Sequence, residues 1–223
     1  ITQPYRISRY PVTVAQYQAF VDAGGYGSKR YWTDAGWEWT QLGKVAKPED
    51  SETVFQTATH PRVGVSWYEA IAFCRWLEEK LKLGVALPTE AQWERAARHT
   101  DGRKYPWGNS NNEVPRRCNI LETGIGHTSA VGIFPDGAAK CGAMDMAGNV
   151  WEWCRTQHRK DYRDYERQVD DTLEGTSARV LRGVGWLLIA DNARCACRVR
   201  YHSASRNRSI GFRVVASPSC SEP

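Results

Sequence analysis

Hydrophobic side chains recur at helical spacing in three stretches of the chain, and each stretch follows a residue that caps helices. Residues 14–23 follow Thr13 and form the first of these. A Ser or Thr accepts a hydrogen bond from the first free backbone N–H groups of a helix, and a Glu or Gln three residues later completes a capping box. Such boxes stand at 66–69 and 89–92 and predict two further helices, the last of which runs through Ala97.

The rest of the chain lacks a helical period. Beyond His99, Gly, Asn, Pro and Trp interrupt every run, and short strands are indicated at 179–182 and 211–215. No stretch alternates strand and helix as a parallel sheet requires. The pattern therefore predicts an α+β domain that is rich in loops and has little regular secondary structure.

The composition fits one globular domain over residues 1–223, because 41% hydrophobic and 25% charged residues describe a chain that can bury one core. Ten Trp and ten Tyr suit long loops that must be fastened to that core. No apolar run reaches the length of a membrane span, and no signal peptide is visible. The chain begins at Ile1 rather than Met, so we allow for an upstream part; the localisation stays open, with the cytoplasm favoured.

Seven Cys occur without any C-x-x-C pair, which argues against a zinc ribbon and against a thioredoxin-type redox site. The count is odd, so at least one thiol has no partner within the chain. Free thiols and a disulfide framework both remain open, and free thiols are favoured.

Arginine is concentrated near the end of the chain, where residues 179–213 contain eight Arg and a single acidic residue. Clustered Arg suits phosphate contacts with a nucleic acid. Arg interleaved with Gly, Asn, Ser and Trp also suits hydrogen bonds to loop carbonyl groups. We favour the second interpretation and expect no nucleic-acid partner.

Seven motifs cover nearly the whole chain: YPVTVAQY at 10–17, PRVGVSW at 61–67, LPTEAQWE at 87–94, YPWGN at 105–109, DMAGNVWEW at 145–153, VLRG at 180–183 and IGFR at 210–213. In this order they resemble the formylglycine-generating enzyme family, also called sulfatase-modifying factors. The resemblance implies a variant of the C-type lectin fold. The sugar-binding motifs of calcium-dependent lectins do not occur in the sequence.

The oxidase of this family holds copper with two Cys thiolates, at the second and seventh places after the aromatic residue of an Arg-Gly-Gly-Ser-Trp motif. Here those places hold Leu188 and Ala193. Cys195 and Cys197 lie nearby, but residues i and i+2 of an extended segment point to opposite sides. The related ergothioneine-type sulfoxide synthases use iron held by a His-rich helical domain, which this sequence does not contain. We therefore expect no copper and no catalytic residue, with the oxidase as the alternative.

The resemblance also implies structural calcium, which the family's enzymes hold around a Gly-Asn-x-Trp-Glu-Trp turn. The matching positions are Asp145, Gly148, Val150 and Glu152. Carboxylates and backbone carbonyl oxygens suit this cation; a metal-free turn held by Trp residues is the alternative. A second family site would fall on Asn119, Ile120, Gly132 and Phe134, where Gly132 replaces the acidic ligand and argues against binding.

Residues 183–209 depart from the family, whose members are rich in Asn over this stretch. The Asn places hold Leu187, Leu188, Ile189, Cys197, Val199, Tyr201, His202, Ser205 and Ser209, and Asn207 keeps its Asn. Each of these residues is reached from an Asn codon by changing adenines only. Gly185 and Cys195 are reached in the same way from the serine codon AGC.

This pattern resembles the variable proteins of diversity-generating retroelements, in which a reverse transcriptase randomises template adenines within a C-terminal lectin-fold segment. The resemblance implies a display protein whose variable face binds an unidentified protein or other macromolecule. A regulatory domain of a signalling protein is a further alternative.

The apolar residues of this segment either fill a core or form an exposed binding patch, and the patch is favoured because they replace Asn. We expect the variable side chains to be exposed on one contiguous face. Behind them we expect a buried frame of Trp186, Arg194, Arg198, Arg200, Arg206 and Arg213.

Overall fold

The computed structural model describes residues 1, 3–49, 52–160, 162 and 169–217. Its α-helices are α1 Val14–Asp22, α2 Asp34–Leu42, α3 Trp67–Leu81 and α4 Glu90–Arg98. Its strands are β1 Arg6–Ile7, β2 Gly84–Ala86, β3 Trp151–Gln157, β4 Arg179–Arg182, β5 Arg198–Tyr201, β6 Ile210–Gly211 and β7 Val215–Ser217. Short 3-10 helices lie between them, among them Thr53–Phe55, Leu121–Thr123 and Ala190–Asn192. The α+β, loop-rich prediction is confirmed.

The predicted helices begin where their capping residues stand. The side chains of Thr13, Ser66 and Thr89 each accept a hydrogen bond from the backbone N–H three residues later. The Gln or Glu side chain at that later position accepts a hydrogen bond from the backbone N–H of the capping residue. Helix α2 was not predicted. Its cap, Thr33, bonds to the backbone N–H of Gly36, and a glycine has no side chain to complete a box.

The strands form two small sheets, one of three strands in the order β1-β7-β2 and one of four in the order β5-β4-β3-β6. All pairs are antiparallel except β3 with β6, which is parallel. Strand β4 matches its prediction. The single strand predicted at 211–215 is wrong, because β6 and β7 belong to different sheets and Phe212 between them pairs with Val12 instead.

Aromatic rings hold the main core together. Tyr17 of α1 stacks on Phe73 of α3 with ring centroids 5.5 Å apart, and Phe212 meets Phe73 edge-on at 5.4 Å. A second core cluster surrounds Trp93 and includes Cys154. These contacts fasten the long loops to the helices, as the Trp and Tyr content predicts.

Buried arginines brace the loops. The guanidinium of Arg179 lies 3.9 Å from the ring centroid of Trp67 and donates to the carbonyls of Arg155 at 2.9 Å and Thr172 at 2.7 Å. Arg182 and Arg213 are fully buried as well. The arrangement supports the loop-carbonyl interpretation of the Arg cluster.

Six cysteines fall within the described residues, and all six are free thiols. Cys220 lies outside them. Across the ranges that the structure describes, no helix combines the length and the apolar character needed to cross a membrane.

Candidate functional site

Residues 183–209 leave the four-stranded sheet at the end of β4, return to it as the edge strand β5, and enter it again at β6. The segment opens with a sharp turn in which Gly183 and Val184 both have positive φ angles, 99° and 70°. A β-branched residue in that region is strained by about 1–3 kcal/mol. Val184 is held there because its side chain is fully buried in the main core.

Trp186 fixes the start of the segment, as predicted. Its side chain is buried, its ring lies 5.9 Å from that of Phe55, and its backbone N–H donates to the carbonyl of Asn149 at 3.1 Å. The indole N–H reaches the carbonyl of Arg208 at 3.5 Å, near the segment's other end. Trp186 therefore links the two ends of the segment and anchors them to the scaffold.

Two ion pairs tie the later part of the segment to helices. Arg206 donates to both carboxylate oxygens of Glu69 at 2.9 and 2.6 Å, and Glu69 is the fully buried acid of the α3 capping box. Arg198 donates to Glu90 at the start of α4, at 2.9 Å. Bidentate pairs of this kind fix orientation as well as distance.

The buried frame that the sequence predicts is only partly confirmed. Arg198 and Arg206 are half-buried, while Arg194 and Arg200 are exposed, and Arg194 donates to the carbonyl of Asp191, three residues away. The missing brace is Arg182 of β4, which donates to the carbonyls of Ala196 at 3.0 Å and Cys197 at 3.3 Å. A buried β4 residue thus holds backbone that carries variable positions.

Four variable positions are exposed. Leu187, Ile189 and Tyr201 have 41%, 47% and 42% of their surface accessible, and His202 is exposed as well. Ser205 and Asn207 are half-buried. Leu188, Cys197 and Val199 are also half-buried and pack against the main core.

Three variable positions contradict the expectation of one exposed face. Cys195 is only 1% exposed and packs in the cluster around Trp93. Ser209 is buried, with its backbone N–H and hydroxyl both bonded to the Asn207 side chain at 2.8 Å. Gly185 is buried too, and a Cβ added there would lie 3.2 Å from the Cβ of Ser209. Fewer positions are therefore exposed than the sequence pattern predicts.

The places of the two family thiolates hold side chains that cannot bind copper. Leu188 packs on the main core, and Ala193 is buried in a third cluster that contains Tyr105. Cys195 and Cys197 point into different clusters, in agreement with their i, i+2 spacing. Burial raises the pKa of the Cys195 thiol to about 12 and raises that of Cys197 as well, which disfavours the thiolate form that binds metals.

The four residues proposed for calcium lie on one turn and the start of β3. Asp145 is buried, its carboxylate accepts a hydrogen bond from the backbone N–H of Gly132 at 2.8 Å, and burial raises its pKa to about 6. Glu152 does not fit the role of a calcium ligand. Arg213 donates to both of its oxygens, at 2.6 and 2.8 Å, and Trp93 adds a bond of 2.7 Å.

Asp145 is therefore the one carboxylate of these four residues that is available to a cation, because the Arg213 guanidinium already balances the charge of Glu152. Gly148 and Val150 lie on the same turn. Within the described ranges, no three His, Cys, Asp or Glu side chains converge on one point. Calcium bound by Asp145 and carbonyl oxygens stays a prediction.

Sequence reasoning missed the 3-10 turn Leu121–Thr123, which borders the variable segment. The backbone N–H of Leu121 donates to the carbonyl of Leu188 at 3.0 Å, and the Glu122 carboxylate accepts from the N–H of Ala190 at 2.9 Å. Leu121 is itself exposed, and its backbone bond places it next to the stretch that carries the exposed Leu187 and Ile189. No motif marks this turn, and the pairing joins residues that lie far apart in the sequence.

Comparison with known proteins agrees with the sequence motifs. The chain is similar to hercynine oxygenase of Mycolicibacterium thermoresistibile, at 33% identity over 95% of this chain and 50% of that protein. It is similar to the formylglycine-generating enzyme of Thermomonospora curvata, at 32% identity over 96% of this chain and 82% of that protein. The chain thus spans about half the length of the hercynine oxygenase that it matches.

Two solved structures share its fold. PvdO from Pseudomonas aeruginosa has a TM-score of 0.75 at 24% identity, over 96% of this chain and 80% of that one. Treponema denticola variable protein 1 has a TM-score of 0.68 at 25% identity, over 96% and 84%. The family model of the sulfatase-modifying factor enzyme 1-like domain matches residues 1–218. The chain therefore belongs to the sulfatase-modifying factor family and has its loop-rich, C-type lectin-like fold.

Proposed function

We propose that this chain is a ligand-binding display protein of a diversity-generating retroelement. Residues 183–209 form its variable segment, and Leu187, Ile189, Tyr201 and His202 are the side chains that face a ligand. The observation that carries the proposal is that exposed apolar side chains occupy Asn places whose codons adenine changes can reach. The backbone that carries them is held by contacts with the scaffold. The similarity to Treponema denticola variable protein 1 supports it.

The separation of roles within the segment gives the proposal its physical basis. Display requires positions that accept many residue types, and surface positions do so because substitutions there usually change stability by no more than about 0.5 kcal/mol. It also requires a backbone that keeps its course whatever the exposed side chains are. Trp186, Arg182, Arg198 and Arg206 supply that backbone support from residues outside the exposed set.

The exposed surface suits a macromolecular partner. Leu187 and Ile189 are exposed, and the backbone of the exposed Leu121 is bonded to Leu188, which lies between them in the sequence. We infer that these apolar side chains from two parts of the chain form one patch. Exposed apolar patches of soluble proteins mark interaction sites. Five cavities of about 260 to 590 Å³ lie elsewhere in the chain, and no residue from 183–209 lines any of them. We therefore propose a protein partner that packs on the patch.

The DNA around the gene tests the retroelement directly. We expect a near-copy of the segment that encodes residues 183–213, with adenines at the differing positions, beside a reverse transcriptase gene. Sequencing of sibling isolates should show changes confined to the adenine-accessible codons. Siblings that differ evenly along residues 1–217, with no such repeat nearby, would contradict the proposal.

The second candidate is an oxidase of the formylglycine-generating type, which the 32% identity to the enzyme from Thermomonospora curvata favours. The test is incubation of the full chain with a Cys-containing sulfatase peptide, copper and oxygen, followed by mass spectrometry. We expect no conversion, because Leu188 and Ala193 stand at the thiolate places. Turnover that is lost in Cys195→Ser or Cys197→Ser would establish the enzyme instead.

A further inference from the structure

Gly185 and Cys195 are the two altered positions that are reached from the serine codon AGC. Changes of the single adenine in that codon give Ser, Gly, Cys or Arg and no other residue. Both positions are buried. Each position therefore receives one of four residues in a closed site, whereas the exposed positions of the segment face solvent.

The site of Cys195 accepts small side chains. Cys195 is only 1% exposed and packs in the cluster around Trp93. Its backbone N–H donates to the carbonyl of Lys104 at 2.8 Å, and its Sγ reaches the carbonyl of Ala97 at 3.5 Å. A Ser hydroxyl carries a donor for the same Ala97 carbonyl, and a Gly adds no polar side-chain atom. Both residues are therefore compatible with this site.

The charges around Cys195 exclude an Arg. Burial raises the pKa of the thiol to about 12, the positive charges of Arg182 and Arg98 lower it, and the negative charge of Glu94 raises it. The Glu94 carboxylate is already paired, with one oxygen 3.0 Å from Arg98 and the other bound to Arg182. A guanidinium at position 195 would thus be a buried cation close to two others. A buried charge without its own partner strongly destabilises a fold.

Gly185 faces a steric limit. A Cβ at this position would lie 3.2 Å from the Cβ of Ser209 and 3.3 Å from Cδ1 of Trp151, and both neighbours are buried. Carbon atoms pack favourably at about 3.5–4.0 Å, so a Ser or Cys here requires only a small shift of its neighbours. An Arg adds a long side chain and a charge to the same buried site, which costs far more.

We infer that positions 185 and 195 determine which diversified chains fold and take no part in ligand binding. Chains with Gly, Ser or Cys at both positions fold, and chains with Arg at either position do not. The inference rests on the proposed retroelement, because it is the randomised adenine that brings Arg to these positions. Ligand specificity then lies with the exposed positions Leu187, Ile189, Tyr201 and His202.

Melting temperatures of the full chain test the inference without any ligand. Cys195→Arg is compared with Ala196→Arg, which adds the same side chain at the next position, where the residue is exposed. Gly185→Arg is compared with Leu187→Arg, since Leu187 is exposed as well. We expect each buried substitution to lower the melting temperature by about 8 °C or more, or to abolish the transition. Each exposed substitution should change it by no more than about 3 °C.

Cys195→Ser and Gly185→Ser show that the two positions distinguish between residue types. Both variants should fold and should melt at least about 5 °C above the variant with Arg at the same position. Equal melting of Cys195→Arg and Ala196→Arg, or of Gly185→Arg and Leu187→Arg, would overturn the inference. Equal destabilisation by Ser and by Arg at either position would overturn it too.

Sibling sequences test the retroelement separately. Among expressed siblings we expect Arg at exposed positions such as 187 and its absence from 185 and 195. Siblings that carry Arg at 185 or 195 as often as Ser would overturn the inference while leaving the retroelement in place. Siblings whose differences ignore the adenine-accessible codons would overturn the retroelement, whatever the melting temperatures are.

Discussion

At the scale of single residues, Arg213 and Glu152 form an ion pair in which both side chains are fully buried. Removal of one partner leaves a buried charge uncompensated. We expect Arg213→Met to lower the free energy of unfolding by about 3–5 kcal/mol in urea titrations.

The matched control is Arg208→Met, because Arg208 pairs with Glu52 at 3.2 Å on the surface. Exposed pairs contribute about 0–1 kcal/mol. Equal effects of the two substitutions would mean that the buried pair does not brace the fold.

Asp145 decides the calcium prediction, since Glu152 is engaged by Arg213. A ligand that binds only the folded state adds RT ln(1 + [L]/Kd) to its stability, about 2.7 kcal/mol at a hundredfold excess over Kd. We expect calcium to raise the melting temperature and a chelator to reverse the rise, with Asp145→Asn insensitive to both. A melting temperature that neither reagent changes would show that the turn is metal-free.

His60 gives the scaffold a dependence on pH. Its ring stacks on that of His127 with centroids 6.1 Å apart, and its Nδ1 lies 3.1 Å from the Thr128 hydroxyl. Burial, and then the charge of His127, lower the pKa of His60 below its ordinary value. A lowered folded-state pKa means that this stability is present above the unfolded pKa and is lost as the pH falls through the folded one.

We therefore expect the melting temperature to fall between about pH 7 and about pH 5, and the fall to be smaller in His60→Asn. The control is His202→Asn, because His202 is exposed. The same fall in His60→Asn as in the unaltered chain would assign the acid sensitivity to other groups.

At the scale of elements, the variable segment divides into exposed and supporting positions. Replacement of Leu187, Ile189 and Tyr201 together by Asn should lower the free energy of unfolding by no more than about 1.5 kcal/mol, because each is a surface change. Trp186→Ala should cost about 3–5 kcal/mol, because it empties a buried site among Phe55, Val63 and Val150. Thermal and urea melts of the two proteins measure the difference; an unfolded triple variant would place these residues in the core.

Elements that depend on neighbours in the sequence were predictable, and elements that depend on distant partners were not. Helices α1, α3 and α4 carry their own caps, so their starts were predicted to the residue. Strand β3 is buried at nearly every position and shows no alternation of polar and apolar residues.

The same reasoning explains which part of the candidate site was predictable. Codon arithmetic identifies which positions adenine changes can reach, but it carries no information on burial. Nothing in the sequence distinguishes Cys195 from its exposed neighbours. It is a core residue because it packs in the cluster around Trp93. The exposed turn at Leu121 was not predicted, because its partner Leu188 lies far along the chain.

At the scale of the whole molecule, ion pairs of residues 182–213 reach back to earlier elements: Arg182 to Glu94, Arg198 to Glu90, Arg206 to Glu69 and Arg213 to Glu152. Strand β3 likewise has its neighbours in the four-stranded sheet only when β4 and β6, which follow it in the sequence, are in place. The fold is therefore completed by contacts of long sequence separation, which slow folding because a long loop must close before each of them forms.

Because the core needs contacts from the last residues of the chain, an incomplete chain cannot form it. A chain that ends within residues 183–209 lacks Arg213 and leaves the carboxylate of Glu152 buried without its cation. Such a chain cannot complete its core and is exposed to proteolysis as an unfolded product. Errors that truncate the segment are thereby removed as unfolded protein, while substitutions at its exposed positions reach the surface in a folded one.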